Sequence, residues 1–186
     1  SSASNVSKIT PGGVSTTAWA ATGSTPFGIT VDSAGNVYTT NYASSNVSKI
    51  TPGGTSTILG TTRTNPQGIT IDSAGNIYTA NSISNNVSKI TPELSSSILG
   101  STGTRPRAIA ADSAGNIYTA NYGSNNVSKR TPDGTSTILG TTGTNPVGIA
   151  VDSAGNIYTA NEGSANVSKI TPGGTSTILA ATGSGP

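Results

Sequence analysis

Histidine, cysteine and methionine are missing from this 186-residue chain, which also has a single Trp and a single Phe. Without cysteine there is no disulfide framework and no thiol nucleophile. Without histidine no Ser-His-Asp arrangement can form, and a Ser-Lys dyad would need a buried lysine. Charge is scarce too. Charged residues make up 9% and the formal net charge is +2. That balance lacks the clustered Lys and Arg that nucleic acid requires. No apolar run reaches the roughly 18 residues of a membrane-spanning helix. With no initiator Met and no visible signal peptide, the chain reads as a mature form left by a processing or cloning cut. These absences predict a protein that is not an enzyme, has no cofactor and does not insert into a membrane.

What is present is a period. Asp72-Ser73-Ala74-Gly75-Asn76-Ile77-Tyr78-Thr79-Ala80-Asn81 has near-copies starting at Asp32, Asp112 and Asp152, 40 residues apart. Between them Asn-Val-Ser-Lys recurs from Asn5, Asn46, Asn86, Asn126 and Asn166. A period near 40 residues marks a stacked or radial repeat. Regular Ile, Val and Tyr alternation argues against disorder despite the polar composition.

One unit reads as four short strands. Ile69-Thr70-Ile71 alternates apolar and polar residues. Asp72 to Asn76 is a turn, with an Asp to accept backbone N–H groups and a Gly for positive φ. Ile77 to Ala80, Val87 to Thr91 and Ser96 to Leu99 follow as strands separated by polar or Pro-led turns. Four antiparallel strands per 40 residues predict an all-β β-propeller of four-stranded antiparallel blades. The expected organisation is an N-terminal half-blade (an outer hairpin, residues 1–24) and blades at 25–64, 65–104, 105–144 and 145–186. Ala180 to Pro186 echoes Ala20 to Pro26, where a further first strand would begin. Four inner hairpins thus face five outer ones. A second copy could complete a larger ring, subunits could join into a filament, or the missing strands could lie outside the chain. One turn breaks pattern: Thr91-Pro92-Glu93-Leu94 replaces Thr-Pro-x-Gly. Leu resists positive φ, so a different turn type is expected there.

The run Pro146 to Tyr158, Pro-Val-Gly-Ile-Ala-Val-Asp-Ser-Ala-Gly-Asn-Ile-Tyr, with Asn166-Val167-Ser168-Lys169-Ile170-Thr171-Pro172, resembles the NHL-type repeat of β-propellers. It is also similar to the repeats of streptogramin B lyase-like propellers. The likeness covers nearly the whole chain. It implies a propeller, often a platform for ligands or proteins. The lyases of that resemblance need a catalytic His and a divalent metal, and no His is here to match.

The remaining chemistry is sparse. The turn residues Asp32, Asp72, Asp112 and Asp152 each read as a cap within their own hairpin, since calcium needs several oxygens converging on one point. Lys8, Lys49, Lys89, Lys129 and Lys169 repeat at one blade position, as stems packed between blades with ammonium groups at the rim. Asn5, Asn46, Asn86, Asn126 and Asn166 each begin an Asn-x-Ser sequon, a candidate N-glycosylation site. In such a blade the first–second and third–fourth turns share one face of the disc. The other face carries the variable positions Tyr42, Arg63, Ser82, Arg105, Arg107, Tyr122 and Glu162, a candidate partner face rich in contact-forming residue types. The reading that follows is a non-enzymatic extracellular or cell-surface propeller that self-associates through its spare half-blade or blade faces, as a homo-oligomer or filament. The alternative is a propeller whose variable face binds a carbohydrate (glycan) or peptide.

Overall fold

The computed structural model describes residues 4–181, and these form strands and turns without a helix. Strands β1 (Asn5–Ile9) and β2 (Ser15–Ala21) make a two-stranded sheet. The first four-stranded sheet is β3 (Pro26–Val31), β4 (Val37–Asn41), β5 (Asn46–Ile50) and β6 (Ser56–Thr61). The second is β7 (Pro66–Ile71), β8 (Ile77–Asn81), β9 (Asn86–Ile90) and β10 (Ser96–Ser101). The third is β11 (Pro106–Ala111), β12 (Ile117–Asn121), β13 (Asn126–Arg130) and β14 (Ser136–Thr141). The fourth is β15 (Pro146–Val151), β16 (Ile157–Asn161), β17 (Asn166–Ile170) and β18 (Ser176–Ala181). Each is an antiparallel meander in chain order. The first strands of successive sheets pack on one another, β3 on β7, β7 on β11 and β11 on β15. The sheets are therefore propeller blades set radially, with these strands innermost. The sequence echo at 182–186 lies outside the described residues.

Two local devices shape every blade. The first is the aspartate turn. Asp72 Oδ1 accepts from the N–H groups of Ala74 and Asn76, both at 2.9 Å. Its Oδ2 accepts from Asn76 Nδ2 at 2.8 Å and from the Tyr78 hydroxyl at 2.9 Å. Gly75, at φ +81°, closes the turn, a conformation that costs glycine little. The second is a buried asparagine. Asn81 Nδ2 donates to Asn86 Oδ1 (2.8 Å) and Ser88 Oγ (2.9 Å), and its Oδ1 accepts from Thr79 Oγ1 (3.0 Å). Ser88 Oγ in turn accepts the N–H of Arg63, on the link from the preceding blade. One side chain thus fixes the β8–β9 connection and the incoming chain together.

Blades bury opposite faces against each other. Tyr38 and Val47 of the first blade pack with Ile69, Ile77 and Ile90 of the second. Tyr78, Ala80 and Val87 meet Ile109 and Ile117, and Tyr118 and Val127 meet Ile157 and Ile170. The period-two alternation supplies both faces from the same strands. The half-blade follows suit at the N-terminal end: Trp19 lies against the Gly54 turn, and Lys8 Nζ sits 5.0 Å from the Trp19 ring centre.

One expectation is corrected. The turn at Leu94 is not of another type. Leu94 sits at φ +64°. Its N–H donates to Thr91 O (2.9 Å), as the Gly54 N–H does to Thr51 O (2.8 Å). The turn's hydrogen bonds outweigh the left-handed strain, of order 1 kcal/mol, and the exposed Leu side chain projects into a groove of about 680 Å³ between the first two blades. The lysines have a partner that the repeat alone did not show. Lys49, Lys89, Lys129 and Lys169 lie over the tyrosine directly opposite in their own sheet, each 5.8 Å from the ring centre of Tyr38, Tyr78, Tyr118 or Tyr158, and Lys49 and Lys89 line the grooves between their blade and the next. Register decides this, because Lys49 pairs with Tyr38 across β4–β5 and the others likewise.

Candidate functional site at the loop face

The repeat brings two positions of each blade together. The first strand's opening Pro is paired with the last Asn of the second strand: Pro26 with Asn41, Pro66 with Asn81, Pro106 with Asn121 and Pro146 with Asn161. Of the residues just after them, Phe27 meets Tyr42 and Arg107 meets Tyr122. The equivalent positions are Gln67 and Ser82 in the second blade and Val147 and Glu162 in the fourth. In a chain of near-copies, these four pairs differ from blade to blade.

Their geometry divides in two. At the first blade the rings of Phe27 and Tyr42 have centroids 6.1 Å apart, tilted by 33°. Phe27 is 60% exposed, an unusual state for a Phe. At the third blade the Arg107 guanidinium lies 3.7 Å from the Tyr122 ring centre and that of Arg105 lies 5.3 Å from it. Arg107 Nη1 also reaches Glu162 Oε2 of the fourth blade at 3.8 Å. Arginines over an aromatic face gain from the ring's negative quadrupole. Arg105 holds φ +53° where Asn65 and Asn145 hold 58° and 55°.

The structure separates the other predicted positions from this cluster. Ser82 is buried, its hydroxyl donating to Asn65 O at 3.0 Å. Arg63 is exposed and faces Ser96 and Ile98 at the outer side of the second blade. Sequence reasoning passed over Phe27, Gln67 and Val147. The signal was there: one residue after the opening Pro, the repeats read Phe, Gln, Arg and Val. Gln67 is buried, and its Oε1 has no hydrogen-bond partner among the described residues. The sequon residues Asn46, Asn86, Asn126 and Asn166 are half-buried, and their carboxamide oxygens accept from Asn41, Asn81, Asn121 and Asn161. Asn5 pairs with Ala21 in the half-blade.

The opposite face is spent on its own turns. Hydrogen bonding from Asn36 holds the Asp32 carboxyl below the ordinary range. At Asp72 and Asp112 burial pushes the other way, but the donors of Asn76 and Tyr78, and of Asn116 and Tyr118, prevail and the carboxyls also lie low. Burial, then the hydrogen bond to the turn aspartate, pushes Tyr38 and Tyr118 up to about 12. The signs set a pH window. The depressed carboxyls stabilise the fold above about pH 4 and lose that contribution as pH falls through their lower folded values. The raised phenols stabilise it below about pH 10 and lose that contribution as pH rises toward about 12. Thermal melts across pH should show a plateau between these limbs. An Asp72→Asn variant should flatten the acid limb; an unchanged limb would show that the turns do not set it.

A divalent metal does not suit the loop-face residues. Glu162 is their one carboxylate and already faces a guanidinium. Among the described residues no three His, Cys, Asp or Glu side chains come together.

Comparison with known proteins gives the context. Residues 1–170 match the family model described as the virginiamycin B lyase family. No curated protein matches the sequence. Among solved structures, virginiamycin B lyase from Staphylococcus aureus is similar at TM-score 0.72 and 23% identity, over 84% of this chain and 55% of that one. A streptogramin B lyase gives TM-score 0.80 and 18% identity, over 95% and 62%. A chain of a nidogen/laminin complex gives 0.72 and 21%, over 83% and 64%. At such identities these likenesses establish the fold, and the chain spans less than two thirds of each neighbour's length. The family match overturns the expectation that the protein is not an enzyme. Lack of histidine removes one base and one metal ligand, but membership is carried by the blade repeat, which needs neither. On the evidence of that repeat, matched over all but the last sixteen residues, this chain belongs to the virginiamycin B lyase family.

Proposed function

We propose that this propeller takes a peptide segment of a partner protein onto the inner end of its loop face. Recognition of a ligand there is the step that a lyase and a binding platform both need first. The observation that carries the reading is the concentration of blade-specific residues at one place: the exposed Phe27–Tyr42 ring pair and the Arg105–Tyr122–Arg107–Glu162 cluster. Aromatic and Arg side chains are the usual anchors of protein interfaces. The protein-bound propeller among the structural neighbours supports the choice of a protein partner. Low charge and five Asn-x-Ser sequons support an extracellular or cell-surface setting. The test is binding to a peptide array and a glycan array in parallel, with a Tyr42→Ser/Tyr122→Ser double variant. Peptide binding lost in the variant is expected. Glycan binding alone, or peptide binding indifferent to both rings, would refute the reading.

A second reading, self-association, is favoured by the end faces. Ile29 and Val31 are 61% and 59% exposed, whereas their counterpart Ile69 is 8% exposed against the first blade. At the other end Ala160 and Leu179 are exposed, whereas Ala80 and Ala120 are buried. One end thus offers the face that the other end would cover, in the packing already repeated inside the chain. Unpartnered apolar faces of this kind recruit a further blade, and a second copy carries one. Light scattering over a concentration series should show mass growing with concentration, suppressed by Val31→Glu. A single monomeric species throughout would exclude it.

A further inference from the structure

Charge is distributed unequally between the two faces. Of nine cationic residues, the five lysines and Arg130 lie toward the turn face, as do six of the seven acids: Asp32, Asp72, Glu93, Asp112, Asp133 and Asp152. That face is balanced. Arg63, Arg105 and Arg107 lie on the loop face with Glu162 alone, so the whole formal excess of +2 belongs there. Two of those three arginines converge on one ring, that of Tyr122.

The pair is built for something beyond itself. Two guanidiniums on one tyrosine repel each other, and the ring offsets only part of that. Glu162 meets Arg107 through one long contact at 3.8 Å, with the Glu side chain 57% exposed. Exposed pairs of this sort contribute about 0–1 kcal/mol. No side-chain hydrogen bond of 3.5 Å or less is made by Arg105 or Arg107 among the described residues, so the planar N–H forks remain open. Arg105 also stands in the left-handed region, which Asn tolerates better.

We infer that the loop-face site is selective for acidic peptides, with a peptide carboxylate received by the Arg105 and Arg107 guanidiniums beside Tyr122 and an apolar residue of the same peptide resting on Phe27 and Tyr42. The inference rests on the peptide reading above and names its chemistry. A carboxylate accepts two parallel N–H bonds from one guanidinium, and its charge relieves the repulsion between the two arginines. Glu162 is displaced or shares the fork, so a Glu162→Gln variant binds more tightly than the parent.

The test uses fluorescence anisotropy with labelled peptides of matched sequence that contain an aromatic residue and either Asp and Glu or their neutral counterparts Asn and Gln. The acidic set is expected to bind about tenfold more tightly than the neutral set, the advantage shrinking at high salt. Arg107→Gln should abolish the difference. Arg105→Asn, which restores the residue of the second and fourth blades and keeps the fold, should reduce it. Arg63→Gln, away from the cluster, should leave it intact. Equal binding of both sets would overturn the charge inference while the peptide reading stands. Failure of both sets to bind would overturn both.

Discussion

Asn81→Ala should lower stability by about 3–4 kcal/mol, the largest loss expected from removing a single polar side chain here. The estimate follows from what the amide leaves behind. Asn81 is fully buried, as are Thr79 and Ser88 to within 1%. Truncation removes three hydrogen bonds at once. Each buried partner left unsatisfied costs about 1–3 kcal/mol, and the Arg63 N–H that Ser88 Oγ already accepts keeps that hydroxyl partly satisfied. For a chain of this length the melting temperature should fall by roughly 10 °C. Position matters as well as chemistry, because in a repeat array each unit is held by its neighbours. Asn161→Ala, at the equivalent place in the fourth blade, should cost less, since Ala160 beside it is already exposed. Urea titrations of the two variants check both statements. Equal, small losses would mean that water enters and takes over the amide's role.

Arg130→Ile should do the reverse and raise stability by about 1–2 kcal/mol, or roughly 3–6 °C. Ile50, Ile90 and Ile170 stand at this position in the other blades and are wholly buried. In the third blade a guanidinium fills it, half-buried, with Ser136 Oγ at 2.9 Å as its hydrogen-bond partner. It lines a groove of about 390 Å³ between the second and third blades, with Lys89, Asp72 and Asp112 nearby. An Ile there would bury its side chain in the manner of the other blades, worth about 1.5–3 kcal/mol before repacking costs, and would spare the partial desolvation of a charge. The converse change, Ile90→Arg, should cost more than Arg130→Ile gains, because a fully closed site must open to admit the head group. Differential scanning calorimetry on both variants decides the matter. A loss on Arg130→Ile would show that the guanidinium's contacts in the groove outweigh the apolar alternative.

These two residues mark the limits of reading the sequence. The blade pattern was legible because the aspartate turn is local: Asp72, Gly75, Asn76 and Tyr78 are close in sequence, and their spacing alone implies the turn and the hairpin it closes. The loop face was legible as a face, because strand order fixes which connections share it. Which of its residues meet was not. Tyr122 and Arg107 are joined by the register of β11 on β12, with a bulge between Pro106 and Ala108 that re-aims Arg107. Ser82 is polar and lies in a variable loop, so it read as surface, yet a carbonyl at Asn65 holds it inside. Leu94 defeated a rule about φ because two turn hydrogen bonds overruled an intrinsic preference. The exclusion of enzymes failed for another reason. It treated the chemistry of one missing side chain as a property of the whole family, whereas the family is defined by a scaffold.

The repeating face-to-face packing has a genetic consequence. Every junction between full blades joins the same two surfaces, and every aspartate turn has nearly the same residues. Unequal crossing-over between the coding segments of two such turns would delete or insert one forty-residue unit, and each surviving junction would be of a kind already present in the chain. An array built this way can gain or lose whole units without creating a new kind of junction, and the pairs Phe27–Tyr42 and Arg107–Tyr122 would travel with their blades as cassettes.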